Sequence, residues 1–124
     1  MRVLDGDQFL VRIFLGESDR VHHTPLSRAL LERLRAEGFA GATVFHGSAG
    51  FGASSIIHTA NLLELSTDLP VLIEVVDDAA HVDQLLPILD EMVTGGALVT
   101  VERVRVVKYA AGAKQSAPPP ARQR

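Results

Sequence analysis

The chain has 124 residues, is 47% apolar, lacks cysteine and carries a formal net charge of -3, which suits one domain around one core and excludes disulfides and thiolate metal sites. Lys114, Arg122 and Arg124 lie at the C-terminal end, so residues 1–109 hold nine basic against fifteen acidic side chains, a balance that argues against a nucleic-acid surface, whose affinity comes mainly from neutralising phosphates. No apolar run reaches the roughly 20 residues of a membrane span, and MRVLDGDQ lacks the sections of a secretory signal, so a soluble cytoplasmic protein without direct membrane insertion is expected.

Gln8 to Leu15 alternates as a strand, with Phe9, Val11, Ile13 and Leu15 on one face. After the loop GESDRVHH, Thr24 is placed to cap a helix and Pro25 to open it, where a missing donor costs nothing. Leu26, Ala29, Leu30 and Leu34 then follow helical spacing from Pro25 to about Glu37, and Gly38 is placed to end the helix. A short strand, Ala42 to Phe45, leads into HGSAGFG and a long excursion before the chain returns as the strand Leu69 to Val76. A connection of about twenty residues inside a compact domain is usually disordered or functional, so residues 46–68 are the first candidate for the working part.

Asp77 or Asp78 can cap a second helix, in which Val82, Leu85, Leu86, Leu89, Met92 and Val93 give the cleanest helical periodicity of the chain. Pro87 lies inside it and is expected to kink the axis unless the helix begins later. Gly95 and Gly96 end it, and Ala97 to Tyr109 is rich in β-branched residues, as a long strand should be. The order matches the split βαβ arrangement: a ferredoxin-like α+β fold, βαββαβ, with two helices on one face of an antiparallel sheet. On the last strand Leu98, Val104 and Val106 point one way and Val99, Val101 and Val107 the other. Strands apolar on both sides are covered on both sides, so a partner subunit is expected against the face that the helices leave open, in a closed ring. The domain is assigned to residues 1–109; the tail, residues 110–124, has a triple proline and no acid and is expected to be disordered.

Three groups of residues carry candidate chemistry. Gly47, Gly50 and Gly52 allow backbone amides to turn toward an anion, although the segment is neither a Walker loop nor a dinucleotide fingerprint. Arg103 and Arg105 share one strand face, with Lys108 further along and Glu102 on the opposite face; guanidinium groups are costly in a dry core, so these must reach carboxylates, solvent or a phosphate ligand. His22, His23, His46, His58 and His81 could supply imidazole ligands to a metal, with carboxylates completing the set. Ser54 and Ser55 lie near His58, but no nucleophile elbow surrounds them, and no catalytic residue is named.

GESDR, TPL at the start of the first helix, and GFAGATVFHGSAGFGASSIIHTANLLELSTDLPVLIEVVDD together resemble the PII-like proteins grouped as domain of unknown function 190, over about residues 8 to 109. The resemblance implies a ferredoxin-like, non-enzymatic signalling protein that forms a homotrimer, with the excursion as a mobile T-loop. It implies an adenine nucleotide or other small anionic ligand in clefts between subunits, and an effector protein, such as a membrane transporter, that reads T-loop shape. By position, Gly47, Gly50 and Gly52 would form the T-loop base and Thr94, Gly95 and Gly96 the second loop, while Arg103, Arg105 or Lys108 would meet phosphates. Where PII proteins carry a phosphate-binding lysine, Gly96 is followed here by Ala97, Leu98 and Val99, which favours a ligand with fewer phosphates than a triphosphate. Tyr109 is the single tyrosine, so a T-loop tyrosine is absent. The alternative is a divalent-metal trimer of the copper-tolerance type that uses the histidines.

Overall fold

The computed structural model describes residues 2–52, 58–59 and 68–110. A four-stranded antiparallel sheet is built from β1 (Gly6–Gly16), β4 (Thr43–His46), β7 (Pro70–Asp77) and β8 (Leu98–Val106) in the order β4-β7-β1-β8. Two short hairpins, β2 (Arg20–Val21) with β3 (Thr24–Pro25) and β5 (Ala49–Gly50) with β6 (His58–Thr59), accompany it. Helices α1 (Leu26–Ala36) and α2 (Ala79–Met92) complete the ferredoxin-like arrangement. No helix among the described residues is long and apolar enough to cross a membrane.

Side chains alternate across a strand, and the register fixes which ones face the helices. Val11 and Ile13 of β1 stand opposite Val75 and Ile73 of β7. With Leu15 they bury against Leu26, Leu30 and Leu34 of α1 and Leu85, Ile88 and Leu89 of α2. Within α2, Ile88 is buried while Leu86 is exposed, so the apolar stripe sits beside the one read from the sequence. Pro87 lies within the helix as expected, but on its exposed side.

The start of α1 differs from expectation. Thr24 makes no side-chain cap, and Thr24 and Pro25 instead belong to β3. The first free amide of the helix, that of Leu26, donates to the Asp19 carbonyl at 2.8 Å, so a loop carbonyl does what a capping hydroxyl would have done. The preceding loop is itself a hairpin: Arg20 pairs with Pro25 and Val21 with Thr24. Its two turn residues, His22 and His23, have φ of 47° and 71°, the two positive values that a type I′ turn demands.

The end of α1 follows the sequence. Gly38 has φ 84°; its amide donates to the Arg35 carbonyl at 3.1 Å and the Phe39 amide to the Leu34 carbonyl at 3.1 Å. This pair of bonds is a Schellman motif, for which a left-handed glycine is the favoured residue.

Candidate functional site

The excursion leaves β4 and returns to β7 at one end of the sheet, the end where Gly16 stands opposite Pro70. Its base is knitted there. The Gly47 amide donates to the Pro70 carbonyl at 2.8 Å, the Glu17 amide to the Leu69 carbonyl at 2.8 Å, and the Ser18 amide to the Asp68 carboxylate at 2.8 Å. Asp19 closes the loop by accepting from the Gly16 amide at 3.0 Å.

These contacts explain the glycines. A Cβ on Gly47 would stand 2.6 Å from the Pro70 ring, one on Gly50 2.9 Å from the same ring, and one on Gly16 2.6 Å from the Asp68 carboxylate. Two glycines therefore let a proline close, and the Gly47 amide is committed to the sheet rather than turned toward an anion. Gly52, Gly95 and Gly96 are different, since each has open space where a side chain would begin. Gly16, Asp68 and Pro70 were not singled out from the sequence as site residues; the GESDR and DLP stretches were their only signal.

The loop Val93–Ala97 lies at the same end, because α2 starts beside Asp77 and runs back so that β8 can begin at Leu98, opposite Phe14. Thr94, Gly95 and Gly96 are thus near the excursion base along the strand direction, on the opposite flank of the sheet. The basic residues are not. Arg103 stands opposite Phe9 and Arg105 opposite Asp7, and Lys108 follows the strand. Leu98 and Arg105 are seven residues apart on β8, or about 23 Å at roughly 3.3 Å per residue. One subunit cannot bring both groups to one small ligand. Arg103, Arg105 and Lys108 are exposed and form no ion pair among the described residues.

At that far end the helix cap read from the sequence is present and is part of a larger polar hub. Asp78 is the N-cap of α2 and accepts from the His81 amide at 2.9 Å and the His81 ring at 2.8 Å. Asp77 is fully buried. It receives Arg2 through two nitrogens at 2.7 and 3.0 Å, the Ala40 amide at 2.8 Å and the Asp78 amide at 2.7 Å. Arg2 also reaches Asp78 at 2.8 Å and the Gly38 carbonyl at 2.9 Å. Burial alone would raise the Asp77 carboxyl; the hydrogen bonds from Arg2 and the two amides outweigh it and hold the group below its ordinary value. The His81 amide and ring do the same for Asp78. Arg2 had no periodic or motif context in the sequence to mark it.

Asp77, Asp78 and His81 are the only group of three or more potential metal ligands drawn together among the described residues, and the Arg2 guanidinium already supplies their positive charge. His22 and His23 are exposed at the hairpin tip and His46 is exposed at the end of β4, and they do not join it. The side chain of His58, together with Ser54, Ser55 and the tail from 111 onward, lies outside the described residues.

The sheet face away from the helices is covered by no element among the described residues. Phe14, Leu72, Phe45 and Leu98 share it by register; Phe45 and Leu98 are 47% and 60% exposed. At its centre Arg12 bridges Glu74 at 2.9 Å and also pairs with Glu102. The hydrogen bond from Arg12 to Glu74, with the charge of Glu102, raises the Arg12 pKa still further.

The model of the family domain of unknown function 190 (DUF190, described as uncharacterized ACR) matches residues 8–106. The chain belongs to this family. A UPF0166 protein of Aquifex aeolicus is 35% identical over 98 residues, covering 79% of this chain and 91% of that protein. The UPF0166 protein MJ1524 of Methanocaldococcus jannaschii is 30% identical over 99 residues, covering 80% and 91%. Among solved structures, a putative PII-like signaling protein from Thermus thermophilus superposes with TM-score 0.60 at 19% identity, covering 84% of this chain and 94% of that one. CPII from Thiomonas intermedia, bound to ADP and bicarbonate, superposes with TM-score 0.59 at 19% identity, covering 82% and 90%. At such identities the likeness establishes the fold, which this DUF190 chain shares with PII-like proteins.

Proposed function

We propose that this DUF190 protein is a non-enzymatic, PII-like sensor that assembles as a homotrimer and binds a small anionic ligand, an adenine nucleotide, in clefts between subunits. The observation that carries it is the open sheet face, where exposed Phe45 and Leu98 surround an Arg12–Glu74–Glu102 cluster. Both surfaces of a sheet with apolar residues on each side need cover, and the two helices occupy the other surface. Copies of the same chain in a closed ring supply that cover symmetrically.

The separation of the candidate residues supports the same reading. Gly52 and the Thr94–Gly96 loop sit at one end of the sheet and Arg103, Arg105 and Lys108 at the other, so a shared ligand requires the far end of a neighbouring β8. CPII, a structural neighbour, holds ADP and bicarbonate in one structure and ADP, AMP and bicarbonate in another, which makes adenine mono- and diphosphates the first ligands to try. Signalling would pass through residues 46–68, whose base is pinned by Gly47, Asp68 and Pro70, to an effector protein. A ligand shifts such a segment only by its differential affinity for two states. Calorimetry with AMP, ADP, ATP and cyclic nucleotides, beside sedimentation at micromolar concentration, tests the proposal. Saturable heat from a trimer supports it, and a well-folded monomer that binds none of them refutes it. The metal-binding alternative has little support, because His22, His23 and His46 stand apart from the one potential ligand cluster among the described residues.

A further inference from the structure

Beside the arginines, α2 and β8 leave a groove on the helix side of the sheet. Its cavity of about 240 Å³ is lined by Phe9, Val11, Val82, Leu86, Val99 and Val101, with Asp83 as the one charged residue of the lining. The groove exists because α2 packs over β1 rather than over the edge strand. Val101 is therefore 52% exposed on the face that the helices should cover, and Leu86 58% exposed on the helix above it.

Phe9 lines the groove and Arg103 stands directly opposite it; Val11 lines it and Val101 stands opposite that. Arg103 and Arg105 are two and four residues beyond Val101 on the same strand face, next along the strand from the residues that line the groove. Asp7 stands opposite Arg105 yet forms no ion pair with it among the described contacts. A cavity of this size is below the roughly 300–1,000 Å³ of sites that enclose a whole small molecule, so it suits part of one. An apolar slot followed on the same strand face by two cations without an ion pair among the described residues is complementary to a molecule with a flat apolar body and an anionic end.

We propose that the α2–β8 groove is the ring subsite of the anionic ligand: the base of a nucleoside phosphate lies between Leu86 and Val101, and its phosphate meets Arg103 and Arg105 of the same subunit. This rests on the reading of those arginines as anion ligands and adds the residues that select an aromatic anion over a bare one. Asp83 orients the ring, since a carboxylate accepts from an amino group on the base and repels the phosphate toward the arginines.

The experiment compares AMP, adenosine and pyrophosphate by calorimetry on the full chain and two variants. Leu86→Gln with Val101→Gln removes apolar cover at positions exposed enough to leave the core intact, and circular dichroism checks that it has. It should weaken AMP and adenosine by about tenfold or more and leave pyrophosphate unchanged. Arg103→Gln should weaken AMP and pyrophosphate and spare adenosine. If the wild-type chain binds AMP and the double variant binds it equally well, the groove is overturned while the sensor reading stands. If the double variant changes the sedimentation coefficient, the groove belongs to a second copy and the assignment is overturned. If the wild-type chain binds no AMP at millimolar concentration, the groove assignment is overturned, while the sensor reading is decided by ADP, ATP and the cyclic nucleotides.

Discussion

Replacing Arg2 by Met tests the polar hub at the end of the sheet away from the excursion. The substitution keeps an unbranched side chain but removes both nitrogens that reach Asp77, a carboxylate with no exposed surface. Breaking a buried ion pair from one side costs about 3–5 kcal/mol, because the remaining charge is stranded. Two features lower that figure here. Arg2 is itself 35% exposed, and Asp77 keeps the Ala40 and Asp78 amides at 2.8 and 2.7 Å. A loss of about 2–3 kcal/mol follows, or roughly 10 °C in Tm for a domain near 100 residues. The pH dependence gives a second handle. Asp77 and Asp78 are both held below their ordinary values, so their contribution is fully present above about pH 4 and is lost as pH falls through the folded-state values. The penalty of Arg2→Met should therefore be whole at pH 7 and shrink below pH 4. Urea denaturation at fixed protomer concentration, at pH 7 and pH 3.5, measures both. A penalty under about 0.5 kcal/mol at pH 7, or one that does not shrink in acid, would refute the stranded-carboxylate argument.

Leu98→Asp places a charge on the open sheet face at a site 60% exposed in the single chain; the sedimenting species should fall from trimer to monomer while circular dichroism keeps its shape. Gly47→Val drives a side chain into the Pro70 ring, where even a Cβ would stand at 2.6 Å, and should cost about 1–3 kcal/mol in urea denaturation; adding Pro70→Ala should recover part of that loss, as a double-mutant cycle would show. His23→Gly puts the residue that tolerates φ near 71° at the hairpin tip and should raise stability by up to about 1 kcal/mol, visible as a higher urea midpoint.

The main strands and helices were legible because the periodicities of β1, α1, β7 and α2 are long and each is bounded by a marked stop, such as Gly38. The hairpin at Arg20–Pro25 was not, since its type I′ turn is made by His22 and His23 rather than the asparagine-glycine pair that advertises such turns. Thr24 read as a helix cap because side-chain chemistry is visible in a sequence, whereas the Asp19 carbonyl that takes the Leu26 amide is supplied by tertiary placement. Leu86 and Ile88 exchanged roles for a related reason: α2 tilts its stripe toward β1, and a moment along one helix does not say which strand lies beneath it. In the candidate site, the glycines were recognisable as unusual, but their purpose was ambiguous. An amide cradle and a tight contact with a proline ask for the same residue, and only the position of Pro70 separates them.

The two ends of the sheet carry different groups, and under the proposed function that division constrains the mechanism. The excursion end holds the backbone network of Gly16–Asp19 with Asp68–Pro70, and the loop Thr94–Gly96 opens beside it. The far end holds the buried Asp77 hub and the exposed Arg103 and Arg105. A ligand on the arginines of one chain is about 20 Å from that chain's own excursion base, too far for direct contact. Communication between them must therefore use either β8 as a rigid strut or the excursion of an adjacent copy. Adjacency is the simpler route, because β8 is paired along nine residues with β1 and shifting it would break that whole ladder. It follows that a monomeric variant that keeps the arginines should still bind the anion weakly but should show no ligand-dependent protection of residues 46–68 in hydrogen exchange; protection in the monomer would place the signal inside one chain.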